Sequence, residues 1–195
     1  MAFYLAVMTV GTVLIACVNI IFSLAPSWYY AVVASVFSTL LAFLLDALVA
    51  LLVHLVPNRI FRADSARYHV SEREARFYER LGVKRWKDKV WELGGMGGFS
   101  KKNLNAPLSV SYVERFLIES HKGVLTHRIS YFAGFLTMPA LAGACAYTIA
   151  FPVALVNLYL NILPTIVLRY NTPRLLSLYG RLKRKQEKKE KIKTV

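Results

Sequence analysis

Two long apolar blocks dominate the chain, and a basic segment follows each of them. The first block extends from Met1 to Asn58 and carries one formally charged side chain, Asp46. The second is an uncharged run of 40 residues, Ile129 to Leu168. A helix of about 20 apolar residues can cross the hydrocarbon core of a bilayer. The pattern therefore predicts an all-α integral membrane protein.

The first block predicts a transmembrane helical hairpin. The 23 uncharged residues Phe3 to Ala25 are long enough for one crossing, and Ala31 to Val56 for a second. Pro26-Ser27 and the aromatic residues Trp28 to Tyr30 mark the turn between them at the membrane surface. A cleaved signal peptide does not fit, because a charged n-region is missing and a second apolar segment follows at once.

The second block allows two structures. Forty residues permit two short crossings or a re-entrant hairpin, and Pro139, Gly143 and Pro152 mark places where the chain can turn or kink. Both alternatives return the chain to its starting side. We therefore expect about four transmembrane or re-entrant helices, with a basic helical segment between the second and third.

Lysine and arginine are concentrated outside the apolar blocks. Residues 59–128 contain 15 Lys or Arg against 8 Asp or Glu, and residues 169–195 contain 10 against 2. The positive-inside rule places both segments, and hence both termini, in the cytoplasm. The predicted segments are an N-terminal hairpin (1–58), a cytoplasmic or interfacial helical segment (59–128), a C-terminal membrane hairpin (129–168) and a basic cytoplasmic tail (169–195).

The formal net charge of +14 does not indicate a nucleic-acid-binding protein. Basic loops beside membrane helices attract anionic headgroups by about 1 kcal/mol per residue, and the chain contains no recognisable nucleic-acid module. Membrane lipids are the expected partners. Cys17 and Cys145 both lie in apolar segments, so we expect buried thiols and neither a disulfide nor a metal site.

The basic segment predicts at least two helices. Ser71 has the character of an N-cap, and the helical pattern runs to Leu81 before Gly82 ends it. Trp86 and Lys87 follow in a stretch that suits the headgroup layer, either as an interfacial anchor or as part of a substrate site. The glycine-rich residues 94–98 predict a connection that lets Phe99, Lys101 and Lys102 fold over a bound lipid.

Residues Ser109 to Arg128 predict a helix that carries candidate chemistry. One helical stripe contains Val113, Phe116, Ser120, Val124 and His127. A partly desolvated imidazole next to the membrane can act as a general base, and Glu119 on the same helix can orient it. The alternative from spacing alone is a structural histidine that interacts with the helix C-terminus or with a headgroup phosphate.

Four groups of residues follow one another along the chain: Phe77-Tyr78 with residues 84–89, residues 101–104, residues 116–120 with His127, and Asn157-Leu158 through Pro164 to residues 169–175. Over roughly Phe77 to Lys185 their order and spacing resemble the glycosyl-4,4'-diaponeurosporenoate acyltransferase family. Members of that family are small bacterial membrane proteins. The founding activity esterifies the sugar of a glycosylated carotenoid acid with a fatty acyl group.

The resemblance implies a multi-pass protein of the bacterial cytoplasmic membrane that esterifies a hydroxyl of a glycolipid or glycosylated terpenoid. The implied acyl donor is acyl-CoA or acyl-carrier protein, with no bound cofactor. It makes His127 the base and Glu119 the residue that orients it. Arg169 and Arg174 would hold donor phosphates or the oxyanion, within a set of substrate-binding candidates comprising Arg169, Tyr170, Asn171, Arg174, Trp86 and Lys87.

The chain departs from the family pattern at four positions. Val124 replaces a second Glu, Arg128 replaces the Trp after the histidine, and Leu168 and Thr172 replace a Gln and an Arg. Either Glu119 orients His127 alone or the activity has diverged. The alternative function is a non-catalytic lipid-binding or partner-binding membrane protein. In that case the arginines anchor headgroups and Glu119 pairs with Lys122 or Arg115 on its own helix.

Two structural expectations remain. An ionised Asp46 within a membrane helix costs about 2.5–3.5 kcal/mol, so it should face other helices, with His54, Asn19, Asn157 or Asn161 as possible partners. The role of Asp46 is either packing or function. If residues 129–168 form a hairpin, His127 and Arg169 approach each other at one membrane surface and form a shared site.

Overall fold

The computed structural model describes residues 2–63, 65–90 and 108–193, and the regular elements in these ranges are helical. The α-helices are α1 (Ala2–Ile21), α2 (Trp28–Leu55), α3 (Glu72–Arg80), α4 (Val83–Trp86), α5 (Val110–Ala133) and α6 (Phe151–Lys193). Short 3-10 helices occupy Asn58–Phe61, Ala66–Tyr68, Lys87–Lys89 and Gly134–Ala140, and a π-helical turn occupies Ala146–Ala150. The prediction of an all-α fold is confirmed for these residues. The glycine-rich connection at 94–98, with Phe99, Lys101 and Lys102, lies outside them.

Within the described residues, three helical segments are long and apolar enough to cross a membrane: Tyr4–Ile21, Trp28–Leu55 and Ala146–Ile192. The first two correspond to the predicted N-terminal hairpin. In the run from residue 129 to 168, the first half is the end of α5 followed by the Gly134–Ala140 3-10 helix, and α6 supplies the second half. A fourth crossing stays a prediction.

The chain divides into two compact units. Residues Met1–Leu55 and Leu125–Leu163 form one, here called the apolar unit. Residues Val56–Val124 and Pro164–Val195 form the other, here called the basic unit. Helices α5 and α6 contribute residues to both.

Part of the apolar unit is an antiparallel helical hairpin. From His127 through Ser130 to Gly134, the residues contacted on α6 move back from Asn161 to Asn157 and its neighbour Ala154. A Cβ on Gly134 would lie 2.9 Å from Asn157 Nδ2 and 3.2 Å from the Cα of Ala154, so glycine permits this close approach.

Two residues, Gly143 and Pro152, shape the backbone where the hairpin reverses direction. Gly143 has a φ of +57°, in the left-handed region that glycine adopts without strain. Pro152, in the first turn of α6, has no N–H to donate to the carbonyl of Thr148 four residues earlier. That oxygen instead accepts from Asn19 Nδ2 at 2.9 Å. Asn19 therefore stabilises the start of α6 and is not seen bonded to Asp46.

The basic unit begins with the predicted capped helix. The side chain of Ser71 accepts from the Glu74 amide at 3.2 Å, and α3 then runs to Arg80. Gly82, with a φ of +62°, ends it. The N-cap, the extent of the helix and its termination are all confirmed.

The predicted stripe on α5 is confirmed for four of its five members, and the fifth, His127, is half-buried. Val113, Phe116, Ser120 and Val124 are buried, and Val113 and Phe116 pack with Ala63 and Leu175 in a core of the basic unit.

Candidate active site

Polar side chains from three helices meet inside the apolar unit. Asp46 projects from α2, His127 from α5, and Asn157 and Asn161 from α6. Asn161 Nδ2 donates to Asp46 Oδ2 at 2.9 Å, and Asn157 Nδ2 donates to Asp46 Oδ1 at 3.3 Å. The other end of the Asn161 amide, Oδ1, lies 2.8 Å from His127 Nδ1. A continuous chain of hydrogen bonds thus joins a carboxylate to an imidazole through one amide.

When Asp46 is ionised, this chain determines which nitrogen of His127 carries the proton. An ionised carboxylate only accepts hydrogen bonds, so Asn161 turns its NH2 group towards Asp46 and its carbonyl oxygen towards His127. His127 Nδ1 must then donate. In the neutral ring the lone pair is therefore on Nε2, the nitrogen that would accept a proton as a general base.

The same contacts offset the cost of placing Asp46 in an apolar helix. Each of its carboxylate oxygens accepts from one amide, and hydrogen bonds to a charged group are about twice as strong as neutral ones. The prediction that Asp46 faces other helices is confirmed, with Asn157 and Asn161 as partners from the predicted set.

Glu119 has a different neighbour. Its carboxylate lies 3.5 Å from Lys122 Nζ in the basic unit, one of the two pairings considered for it. Val124, at the position of the family's second Glu, is 1% exposed and belongs to the buried face of α5. In the described structure the carboxylate hydrogen-bonded through to His127 is that of Asp46, while the orienting role of Glu119 stays a prediction.

Arg169 is buried in the basic unit beside Glu74. Its Nε bonds to Glu74 Oε1, and its Nη2 lies 2.5 Å from Glu74 Oε2, which makes the pair bidentate. Nη2 also donates to the carbonyl of His69 at 3.2 Å. The Tyr78 hydroxyl donates to Glu74 as well. Burial, together with the carboxylate of Glu74, raises the pKa of Tyr78 to about 12.

Two further substrate-binding candidates, Tyr170 and Arg174, contact each other within the basic unit. Tyr170 is buried among Val70, Tyr78 and Val83. The Arg174 guanidinium lies 4.4 Å above the ring of Tyr170 and donates to its hydroxyl at 2.8 Å, while much of the Arg174 side chain remains exposed.

Trp86, Lys87 and Asn171 complete the predicted set. Trp86 Nε1 donates to the carbonyl of Leu81 at 3.1 Å, which connects the end of α4 to the C-cap residue of α3. Lys87 Nζ lies 2.7 Å from the exposed carboxylate of Asp88. Asn171 is half-buried on α6. His127 belongs to the apolar unit and Arg169 to the basic unit, so a site shared by the two stays a prediction.

Sequence reasoning missed the environment of His121. Its ring stacks on Tyr68 with centroids 4.1 Å apart, and its Nδ1 lies 3.0 Å from the carbonyl oxygen of Phe61. The residue is 1% exposed. Burial lowers the pKa of His121, and the positive charge of Arg169 contributes in the same direction, whereas the Phe61 carbonyl opposes the shift.

Sequence reasoning also missed that Asn161 links Asp46 to His127. A signal was present: Asn157 and Asn161 are four residues apart within an apolar run, so they share one helix face. Amides on one face of a membrane helix usually have polar partners on another helix. That rule predicts a partner but does not name it.

A family model described as glycosyl-4,4'-diaponeurosporenoate acyltransferase matches residues 57–181, which is more than half of the chain. The matched range contains all eight predicted site residues, and Asp46 lies before it. Comparisons with curated proteins and with solved structures gave no match.

Proposed function

We propose that this chain, which belongs to the glycosyl-4,4'-diaponeurosporenoate acyltransferase family, transfers a fatty acyl group to a hydroxyl of a membrane-embedded glycolipid or glycosylated terpenoid. The donor in this proposal is a thioester, acyl-CoA or acyl-carrier protein. The observation that carries the assignment of the base is the hydrogen-bonded chain Asp46–Asn161–His127.

In the proposed reaction, the acceptor hydroxyl attacks the thioester carbonyl carbon while His127 Nε2 takes the hydroxyl proton. A carbon–oxygen bond forms, and a tetrahedral oxyanion results. When the intermediate collapses, the carbon–sulfur bond breaks and His127 returns the proton to the thiolate. The products are an ester and a free thiol.

Asn161 and Asp46 act on the charged form of the base. When Nε2 takes the proton, the Nδ1–H bond to the Asn161 carbonyl strengthens, and the Asp46 carboxylate polarises that amide in the favourable sense. The two residues therefore position the imidazole and stabilise the imidazolium, which supports the assignment of a base to His127 and not to His121.

The arginines divide between two proposed roles. Arg174 presents an exposed guanidinium that the ring of Tyr170 supports, an arrangement suited to a donor phosphate. Arg169 is already paired with Glu74 through two hydrogen bonds. This pairing supports a role in which Arg169 positions the residues around it.

The test is acyl transfer in proteoliposomes containing lipid extract, with acyl-CoA and acyl-carrier protein supplied in separate reactions and ester products identified by mass spectrometry. We expect His127→Ala to lower the rate by about 10²- to 10⁴-fold, which is the usual contribution of a general base. Asn161→Leu should lower it about 10-fold or more, since the imidazole loses its orienting acceptor.

His54→Ala is the matched control, because His54 is a second histidine of the apolar unit, exposed in the last turn of α2. It should keep the parental rate. If folded His127→Ala keeps most of the activity, the base assignment is wrong. If no lipid hydroxyl is acylated by the parent protein with either donor, the proposed function is wrong.

The Glu119–Lys122 pair favours a second candidate, a non-catalytic membrane protein that binds lipid or a partner. Under that function the same proteoliposomes show no ester product. The protein should still bind vesicles containing anionic lipid, and rising salt should weaken that binding.

A further inference from the structure

An apolar cleft lies between α1, α2 and α6 within the apolar unit, and it measures about 320 Å³ when the space on its open side is included. Met8, Gly11 and Ile15 line it on α1, Phe43 on α2, and Val153 and Val156 on α6. Its cavity volume is only about 20 Å³, well below the roughly 300–1,000 Å³ of closed small-molecule sites, so a ligand there lies along an open groove and a complete glycosylated lipid does not fit inside.

The two threonine hydroxyl groups beside the cleft already have partners. Thr12 Oγ1 donates to the carbonyl of Met8 at 2.8 Å, and Thr39 Oγ1 donates to that of Ser35 at 2.9 Å. The two hydroxyl oxygens lie 2.8 Å apart. These groups therefore need no polar ligand, and the wall suits a hydrocarbon chain.

One residue joins the cleft to the proposed catalytic cluster. Asn157 lines the cleft and also donates to Asp46, which Asn161 connects to His127. On α1 the lining extends over residues 4–15, about 16 Å at the rise of an α-helix. The cleft is thus an elongated apolar groove with one amide on its wall.

We propose that this cleft holds the acyl chain of the thioester donor, with the carbonyl carbon at the end nearest Asp46 and His127; the inference rests on the proposed acyl transfer. The acceptor lipid already has its apolar part in the bilayer. A donor that arrives from water needs an apolar site for its chain, because exposed methylene groups are unfavourable in water. The length of the cleft then selects the length of the transferred chain.

Gly11→Leu tests the selection. A Cβ at position 11 would lie 3.4 Å from Val156 Cγ2, which is an acceptable contact, and the rest of the leucine would fill the cleft. We expect kcat/KM for a palmitoyl donor to fall at least tenfold relative to a decanoyl donor. Ala6→Leu, an exposed position on the same helix, should leave the ratio unchanged. Met8→Trp fills the same space, and it replaces Gly11→Leu in this test if Gly11→Leu fails to fold.

Binding is measured separately from catalysis with a palmitoyl-CoA analogue that carries a diazirine in its chain. Light should attach it to peptides containing residues 4–15 or 153–160 in the parent protein and in His127→Ala, and unlabelled palmitoyl-CoA should compete. A phospholipid carrying the same diazirine is the control, because it shows which peptides are labelled by the lipid of the surrounding bilayer.

The two proposals fail in different ways. Competed labelling of both proteins without any ester product retains the chain site and rejects the acyltransferase function. Normal acyl transfer with an unchanged palmitoyl-to-decanoyl ratio in both cleft-filling variants rejects the cleft. Labelling by the phospholipid that palmitoyl-CoA does not displace also rejects it, since the cleft then holds only bilayer lipid.

Discussion

His127 and Asp46 are each conspicuous in the sequence, but the contact that connects them is not. Asn161 is 34 residues from His127 and 115 residues from Asp46. The three residues lie on three different helices. Helical periodicity shows which side chains share one face of one helix. It contains no information about which residues face each other across helices, so the link became visible only in three dimensions.

The buried imidazole of His121 should make the free energy of unfolding of the protein depend on pH. Its pKa is lowered from the usual value near 6.5, mainly by burial, so the folded protein keeps the ring neutral. As the pH falls below 6.5, the unfolded chain takes up a proton first. The free energy of unfolding should therefore decrease, by at most about 1.4 kcal/mol per pH unit.

Denaturant unfolding in mild detergent between pH 5 and 8 measures this loss. His121→Phe, which keeps a ring to stack on Tyr68, should flatten the pH dependence, and His54→Phe should leave it as in the parent protein. If His121→Phe has the parental pH dependence, the buried imidazole is not its source.

The Arg169–Glu74 pair predicts a loss of stability when either partner changes. Breaking a fully buried ion pair costs about 3–5 kcal/mol, and we expect a loss below that range because the Glu74 side chain is 27% exposed. Glu74→Gln and Arg169→Lys should both destabilise the protein, since each removes the bidentate contact.

Asp88→Asn is the control for this pair, because Asp88 also bonds to a cation, Lys87, but its side chain is 69% exposed. It should change the unfolding free energy by less than about 1 kcal/mol. If Glu74→Gln and Asp88→Asn lower the free energy of unfolding equally, burial of the Arg169–Glu74 pair adds no stability.

At the scale of elements, the close approach of Gly134 to α6 predicts a contrast between two glycine substitutions. Gly134→Ala places a methyl group against Asn157 Nδ2 and the Ala154 backbone, so the hairpin must separate and stability should fall by about 1–3 kcal/mol. Gly180→Ala, in α6, meets only the end of the Arg184 side chain at 3.9 Å.

Because alanine is the better helix former, Gly180→Ala should stabilise the protein by about 0.5–1 kcal/mol. Thermal unfolding of the two variants beside the parent protein provides the measurement. A Gly134→Ala protein as stable as Gly180→Ala would mean that α5 and α6 do not pack this closely.

Helices α1, α2 and α3 were predictable because hydrophobic length and capping residues act locally. The end of α6 was not. The sequence suggested a boundary at residues 168/169, yet α6 continues through Pro164 and Pro173 to Lys193. Beyond Pro173, Leu175 and Leu178 pack into the core of the basic unit, and this tertiary contact supports a helix that proline disfavours locally.

At the scale of the whole molecule, the distribution of charge predicts membrane orientation. Reporter fusions at Asn58 and at Val195, the latter outside the described residues, should both give a cytoplasmic signal. A signal from the opposite side at either position would overturn the predicted topology, and the proposed base would then face away from a cytoplasmic thioester.

The distance along the chain between Asp46 and its partners also has a consequence for biosynthesis. Asn157 and Asn161 are synthesised 111 and 115 residues after Asp46. At about 5–20 residues per second, the ribosome needs roughly 6–23 seconds to cover that distance. During this delay the newly inserted first hairpin holds a carboxyl group in the bilayer without its two amide donors. The nascent chain should therefore depend on an insertion chaperone that shields this face until the last helix is made.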